Sequence, residues 1–304
     1  MSVIKFMNGF SAPLGKRRNA MIIYRRLFAF VAAMVAVVVL VGARAGDAST
    51  RSMGSPASPA GGNTTCFGGS VVAGVYSNLS IAGFCNVDSG SVTVEHNLTV
   101  LPGGTLNAQF GGTDTGPAPS DVTVGGNLDV QTNGVLVLGC EPGHFTCQND
   151  PDPSTGRTFS NSASVGGNLT AEDALAVVVH VTAIGRNVTM SGGGGGVTCS
   201  GFLPVLLSPP YGDFEDNTIG SNLTISGWQS CWLGAFRDTI RGNVDWHSNV
   251  NADPDANEIA TNSIGRNFNC AGNTPNPQIG DSGGLLNLVS GRANGQCVNL
   301  KLVP

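Results

Sequence analysis

One pattern of apolar and polar positions recurs eight times along this chain. Each copy runs β-branched residue, two small or polar residues, Asn, apolar residue, small polar residue, apolar residue. The copies centre on Asn78, Asn97, Asn127, Asn168, Asn187, Asn222, Asn243 and Asn267. Three residues before each Asn stands Val or Ile, from Val75 and Val94 to Ile240 and Ile264. Such side chains favour strands. After each Asn come two apolar residues flanking a small polar one, as in Leu98-Thr99-Val100 or Leu223-Thr224-Ile225. That alternation is the period of a half-buried strand.

Gly stands two residues before the Asn in five copies: Gly125, Gly166, Gly185, Gly220 and Gly265. Gly and Asn are the residues that best tolerate left-handed backbone. Each unit therefore predicts a short strand, a bend carrying Gly and Asn, and another short strand. Stacked units would pile Asn on Asn, with amides hydrogen-bonding along the pile.

Self-similarity of this kind marks a repeat architecture. Successive Asn residues lie 19, 30, 41, 19, 35, 21 and 24 apart. The short intervals fit one coil of a parallel β-helix, roughly 20 residues. The long intervals are coils with insertions, at Phe110–Ser120, Cys140–Ser162, Ser191–Asp216, Asn249–Asn262 and Asn273–Gly283. The expected fold is all-β, a single-stranded right-handed parallel β-helix with loop insertions. A β-sandwich of about ten short strands is the alternative, and it explains the recurring bend poorly.

The first 45 residues read as an export signal. Lys16, Arg17, Arg18, Arg25 and Arg26 precede an apolar run from Leu27 to Val41, and Ala43-Arg44-Ala45 supplies the small-residue cleavage pattern. Met21 opens a signal of ordinary length by itself. The run is shorter than the roughly 20 residues needed to span a bilayer, so an uncleaved anchor is the second reading. Residues 46–62, rich in Ser, Pro, Ala and Gly, are a lead-in, and residues 63–304 are the β-helix domain. The expected location is secreted or cell-surface, with no membrane insertion after cleavage.

Charge changes the picture once the signal is set aside. Seven of the 15 basic residues and none of the 20 acidic ones precede residue 46, which leaves eight against twenty, a net −12. Nucleic acid and anionic membranes are poor partners for such a surface. All eight cysteines lie in the exported part: Cys66, Cys85, Cys140, Cys147, Cys199, Cys231, Cys270 and Cys297. An even number in an exported chain argues for disulfides. Eight cysteines allow 105 pairings. Cys66 with Cys85 (one coil apart), Cys140 with Cys147, and Cys270 with Cys297 are the attractive neighbours. A zinc reading lacks any CxxC pair.

Chemistry is thinly signalled. Asp213, Glu215 and Asp216 cluster before the Asn222 unit and are the catalytic candidates, since glycoside hydrolysis needs two carboxylates at a set separation. A solvated loop in an acidic protein is the plainer account. Asp253, Asp255, Asn257 and Glu258 make an oxygen-rich loop of the kind calcium takes, without the Gly and downstream Glu of an EF-hand. No cofactor is expected unless calcium occupies this loop. His180 sits in the apolar run Ala174–Val181 and reads as structural. Trp228, Trp232, Phe236 and Trp246 read as core, or if exposed as sugar-stacking surfaces. Asn-Leu-Thr at Asn97, Asn168 and Asn222 matches a glycosylation sequon, but the repeat accounts for the Thr without sugar.

The repeat resembles secreted bacterial right-handed parallel β-helix proteins, over about residues 70–300. That resemblance implies either an adhesive or surface role toward extracellular glycans, or polysaccharide cleavage. The paired Asp-Asp, Gly-His-Gly and Arg-Ile-Lys clusters of the β-helix polysaccharide hydrolases are missing. Gly143-His144-Phe145 matches only two of three positions. The expectation is a structural, surface-associated or adhesive protein, with a polysaccharide lyase or hydrolase as the alternative.

Overall fold

The structure, a computed structural model, describes residues 62–88, 90–110, 121–140, 162–206 and 208–302. The export signal, nearly all of the lead-in, most of the insertions Phe110–Ser120 and Cys140–Ser162, and Cys147 lie outside them.

The described residues form a parallel β-helix. Its first coil runs through Asn63–Cys66 in sheet 1, Gly69–Ser70 in sheet 2 and Gly74–Tyr76 in sheet 3. Later coils repeat that order up to the last, where Phe268–Ala271 in sheet 1 is followed directly by Leu288–Val289 in sheet 3. The three sheets hold ten, eight and nine described strands, every long-range pairing between them parallel. A fourth, short pair joins Gln229–Ser230 to Val250–Asn251.

The heptad unit occupies the corner from sheet 3 into sheet 1. Its two apolar positions stack in register from coil to coil, Leu79 on Leu98 on Leu128 on Leu169, and Ile81 on Val100 on Val130 on Ala171. All eight are buried. Near the C-terminal end the second stack widens to Met190, Ile225 and Trp246. Burial of these stacks is the main favourable term in folding, at about 25 cal/mol per Å² of apolar surface.

The first copy departs from the pattern. Val75 pairs with Thr93 and faces out, whereas Tyr76 pairs with Val94 and takes the inward place. The Tyr76 hydroxyl donates to Val72 O at 2.6 Å, so a large ring with a satisfied polar tip sits in the first coil's core.

The Asn pile exists, with the expected amide-to-amide bonds from Asn187 to Asn168, Asn222 to Asn187 and Asn243 to Asn222 at 3.2–3.3 Å, and with a second bond along its whole length. Each Asn side-chain oxygen accepts the backbone N–H of the Asn one coil on, as in Asn97 to Asn127 at 2.9 Å and Asn222 to Asn243 at 2.8 Å. The row is continuous from Asn78 to Asn267 and passes to the Arg292 amide. None of these Asn, and none of the five Gly, is left-handed. Gly185 is required for another reason: a Cβ there would run into the carbonyl oxygen of Gly166 in the coil beneath.

Left-handed residues occupy the other two corners, each just before a ladder of its own. Val181, Asp216, Arg237 and Thr261 have φ between 50° and 63°. They precede Thr182, Asn217, Asp238 and Asn262, whose backbone amides donate in turn to Asn217, Asp238, Asn262 and Asn287 at 2.8–3.0 Å. At the sheet 1–sheet 2 corner, Gly227, Ser248, Gly272 and Gly295 are left-handed. They precede Trp228, Asn249, Asn273 and Gln296, linked in the same way at 2.9–3.1 Å. Buried backbone amides need partners, and the side-chain ladders supply them where no strand does.

Two of the expected disulfides are present. Cys66–Cys85 crosses the core from sheet 1 to sheet 2, and Cys270–Cys297 pins the C-terminal segment. Cys199–Cys231 ties the insertion after Ser191 back to the helix. Cys140 is disulfide-bonded as well. The insertion expected at Asn249–Asn262 is mostly coil, since Val250–Asn251 and Glu258–Ala260 are strands. Among the described residues no helix is long and apolar enough to cross a membrane.

Candidate functional site

The outer face of sheet 2 is apolar around Val135, Val137, Ala176 and Val178, and there the 192–211 insertion covers it with Val205 and Leu206. Farther along the same face the outward positions become polar. Register sets Val178, Asp213, Gly234 and Glu258 in one row, and His180, Glu215, Phe236 and Ala260 in the next. Asp213 and Glu215 therefore lie on a strand, Gly212–Glu215, and not in the solvated loop that the sequence suggested. The strand keeps period two, so both carboxylates face out while Phe214 enters the core.

His180 Nε2 lies 3.1 Å from Asp213 Oδ2, with both side chains almost wholly buried. Arg237 Nε and Nη2 grip Asp216 at 2.7–3.1 Å, and Nη2 also donates to Glu215 Oε2 at 2.5 Å. Ligand atoms of His180, Asp213 and Glu215 all lie within 4.8 Å of one another. Burial pushes Asp213 well above the carboxylate range. Burial, then the charge of Asp213, pushes Glu215 up to about 7. Burial pulls His180 down to about 4. Burial thus favours the uncharged form of both His180 and Asp213, since charge without solvent is the costlier state.

An aromatic roof stands over this acidic floor. The Trp232 ring lies over Gly234, where a Cβ would collide with it, so only glycine fits beneath. Trp232 stacks on Phe236 at 5.8 Å between centroids and meets Tyr211 edge-on at 6.1 Å. Its Nε1 donates to Glu258 Oε1 at 3.3 Å, and the Ser282 hydroxyl donates to Glu258 Oε2.

Of the four residues expected to form a calcium loop, Asp255 and Glu258 come together, while Asn257 and Asp253 are engaged elsewhere. Asn257 is buried; its oxygen accepts from Trp246 Nε1 at 3.0 Å and its amide donates to Pro275 O at 2.9 Å. Asp253 Oδ1 accepts the Asp255 backbone N–H at 3.0 Å. Glu258 faces Trp232. The acidic group that does assemble here is Asp255, Glu258 and Asp281, the last from a segment read as a separate insertion. Cys199 and Cys231 near Asp253 are disulfide-bonded and offer no thiolate.

Sequence reasoning missed Arg237, Tyr211 and Glu258 as members of the site, and read His180 as purely structural. The missed signal was spacing. Asp216, Arg237 and Thr261 lie 21 and 24 apart, the same intervals as Asn222, Asn243 and Asn267.

The geometry defines a parallel β-helix with an acidic, aromatic-roofed patch on one outer face. No protein-family profile matches the chain, and neither a curated protein nor a solved structure shows detectable similarity to it.

Proposed function

We propose that this is an exported, disulfide-stapled β-helix with a structural, surface-associated or adhesive role, meeting extracellular glycans on the outer face of sheet 2. The observation that carries the reading is the pair of half-buried rings Tyr211 and Trp232 beside Glu215, backed from within by buried Phe236 and Glu258. Flat apolar rings with adjacent acceptor oxygens complement the C–H face and hydroxyls of a sugar. A few placed polar groups in an aromatic setting is the usual make-up of a ligand site. Disulfides suit an oxidising compartment, and the net −12 beyond residue 45 turns the protein from polyanions toward neutral or basic polymers.

Trp232→Ala is expected to lower affinity for the recognised glycan at least about tenfold, with circular dichroism and the Cys199–Cys231 bond unchanged. Binding would be measured on a panel of neutral and basic cell-wall polysaccharides. A variant that binds as the parent does, or a parent silent across the panel, removes the glycan-binding reading.

A second reading has its own support. Asp213 and Glu215 are neighbouring carboxyls with protonation driven upward, the pairing that glycoside cleavage uses. On this reading Asp213→Asn and Glu215→Gln each cut release of reducing ends about a hundredfold with circular dichroism and the Cys199–Cys231 bond unchanged. No product from the parent on the same panel disposes of it.

A further inference from the structure

The exposed apolar residues are not scattered. Ten large apolar side chains are exposed among the described residues. Phe67, Val72, Val75 and Phe84 belong to the first two coils. Leu285, Leu288, Val298 and Leu302 belong to the last turn of chain. The remaining two, Val197 and Phe202, sit in the insertion over sheet 2. Singly exposed apolar residues are ordinary; eight of ten collected at two ends point to surfaces that are covered.

Charge divides the same way. Residues 63–96 hold Asp88 and Glu95 and no Lys or Arg, whereas residues 284–302 hold Arg292 and Lys301 and no Asp or Glu. Among the described residues, the strands at the two ends also have outer edges without a partner strand, although Asn287, beside Leu288–Val289, is bridged to Lys301. Asn63–Cys66 and Gly74–Tyr76 stand last in their sheets at the N-terminal end, Ala293–Gly295 and Leu288–Val289 at the other. Unpaired edges are templates for further strands. The turn Val298–Leu300 closes the core by burying Leu300 while leaving Val298 outside, so the C-terminal end is sealed but apolar at its rim.

From these three coincident features we infer that the N-terminal coil of one copy docks on the C-terminal coil of the next, building head-to-tail rods. The occupant that fits is a second copy of this chain. It presents the opposite charge, the end strands of sheets 1 and 3 and the strand direction that continues each parallel sheet. The contact joins two different surfaces and does not close on itself, so it propagates. The inference rests on the structural reading above.

The test is sedimentation of the protein collected after export, across concentration and salt. Mass is expected to climb past the dimer with concentration, to fall as salt rises, and to match rods of constant width in electron micrographs. Arg292→Glu with Lys301→Glu sets acid against acid and is expected to weaken association at least about tenfold. Adding Asp88→Lys and Glu95→Lys to that variant restores it. A parent that stays monomeric, or stops at a dimer, overturns the inference. So does a monomeric parent that assembles only once residues 46–62 are deleted, which would give the N-terminal end to the chain's own lead-in. Rods from a Trp232→Ala protein that has lost glycan binding separate this result from the sheet 2 reading.

Discussion

Replacing Asp238 with Asn is expected to stabilise the protein at neutral pH, by an amount that grows as pH rises. Asp238 occupies one rung of the buried ladder Thr182–Asn217–Asp238–Asn262–Asn287. In that ladder Asn217, Asn262 and Asn287 turn their amide nitrogens to the carbonyls of Val179, Ala235 and Ile259 at 2.8–3.0 Å. Register places Phe214 between Val179 and Ala235, so the Asp238 atom in the amide position faces the Phe214 carbonyl. That atom, Oδ2, is buried with no hydrogen-bond partner. An ionised oxygen opposed to a carbonyl is repelled; an amide nitrogen donates to it.

Burial pushes the Asp238 carboxyl well above its ordinary value. Its hydrogen bonds with Asn217 pull the other way, and the charges of Asp213 and Asp216 push in the same direction as burial. A raised carboxyl binds more protons folded than unfolded. Its contribution is therefore complete below the unfolded pKa, about 4, and is lost as pH climbs toward the folded one, at about 1.4 kcal/mol per pH unit. Asn has no proton to lose. The parent and Asp238→Asn should thus have similar melting temperatures near pH 4 and diverge upward, by several degrees at pH 7, since about 1 kcal/mol is worth 2–4 °C at this size. Asp213 and Glu215, also raised, leave a residual slope in the variant. His180, pulled down to about 4, acts in the opposite sense: its contribution is lost as pH falls through that value. Parallel melting curves across pH 4 to 8, or a less stable variant at pH 7, would refute the account of this rung.

The ladders also show how far the sequence could be read. The sheet 3–sheet 1 ladder was legible because its rung is always Asn and its apolar neighbours sit at fixed offsets in the same strand. The other two were not. Their rungs vary among Asn, Asp, Thr, Gln and a Trp backbone, and they flank strands as short as Thr218–Ile219 and Gln229–Ser230. With two residues per strand there is no alternation to see. The expectation of left-handed Asn failed for a physical reason. Those Asn need ordinary backbone to offer a side-chain oxygen to the coil above, and the sharp reversals fall at the other corners.

The candidate site was half visible. Asp213, Glu215 and Asp216 stood out as a cluster, but treating Ser191–Asp216 as one insertion hid the strand that ends it. Once Gly212–Glu215 is a strand, Val178 and His180 fall beside Asp213 and Glu215, and Gly234 and Phe236 fall on their other side. Cys66–Cys85 was readable because 19 residues is a coil-sized interval, and Cys270–Cys297 because the pair brackets the C-terminal end. Cys199–Cys231, 32 apart, spans the insertion and matches no coil.

One rung above Asp238, Asn262→Ala is expected to be strongly destabilising. Asn262 is buried, and its side chain and backbone N–H make four hydrogen bonds to three groups. Its oxygen accepts the Asp238 backbone N–H at 2.8 Å; its nitrogen donates to Ala235 O at 3.0 Å and to Asn287 Oδ1 at 2.9 Å. Its own backbone N–H donates to Asn287 Oδ1 at 3.0 Å, a bond that alanine keeps. Truncation strands a buried N–H and a buried carbonyl, at about 1–3 kcal/mol each, and leaves a cavity. A loss of about 3–5 kcal/mol follows, read as a fall of roughly 10 °C in melting temperature or an equivalent shift in urea midpoint. Asn97→Ala is the control. It too removes a rung, the acceptor of the Asn127 amide at 2.9 Å, but it is exposed and water can replace it. It should cost about 1 kcal/mol. Equal losses would mean that burial is not what sets the weight of a rung. If the losses separate, the outer ladder serves mainly to fix the register of the coils, and the inner ones hold the corners where the chain reverses in the absence of water.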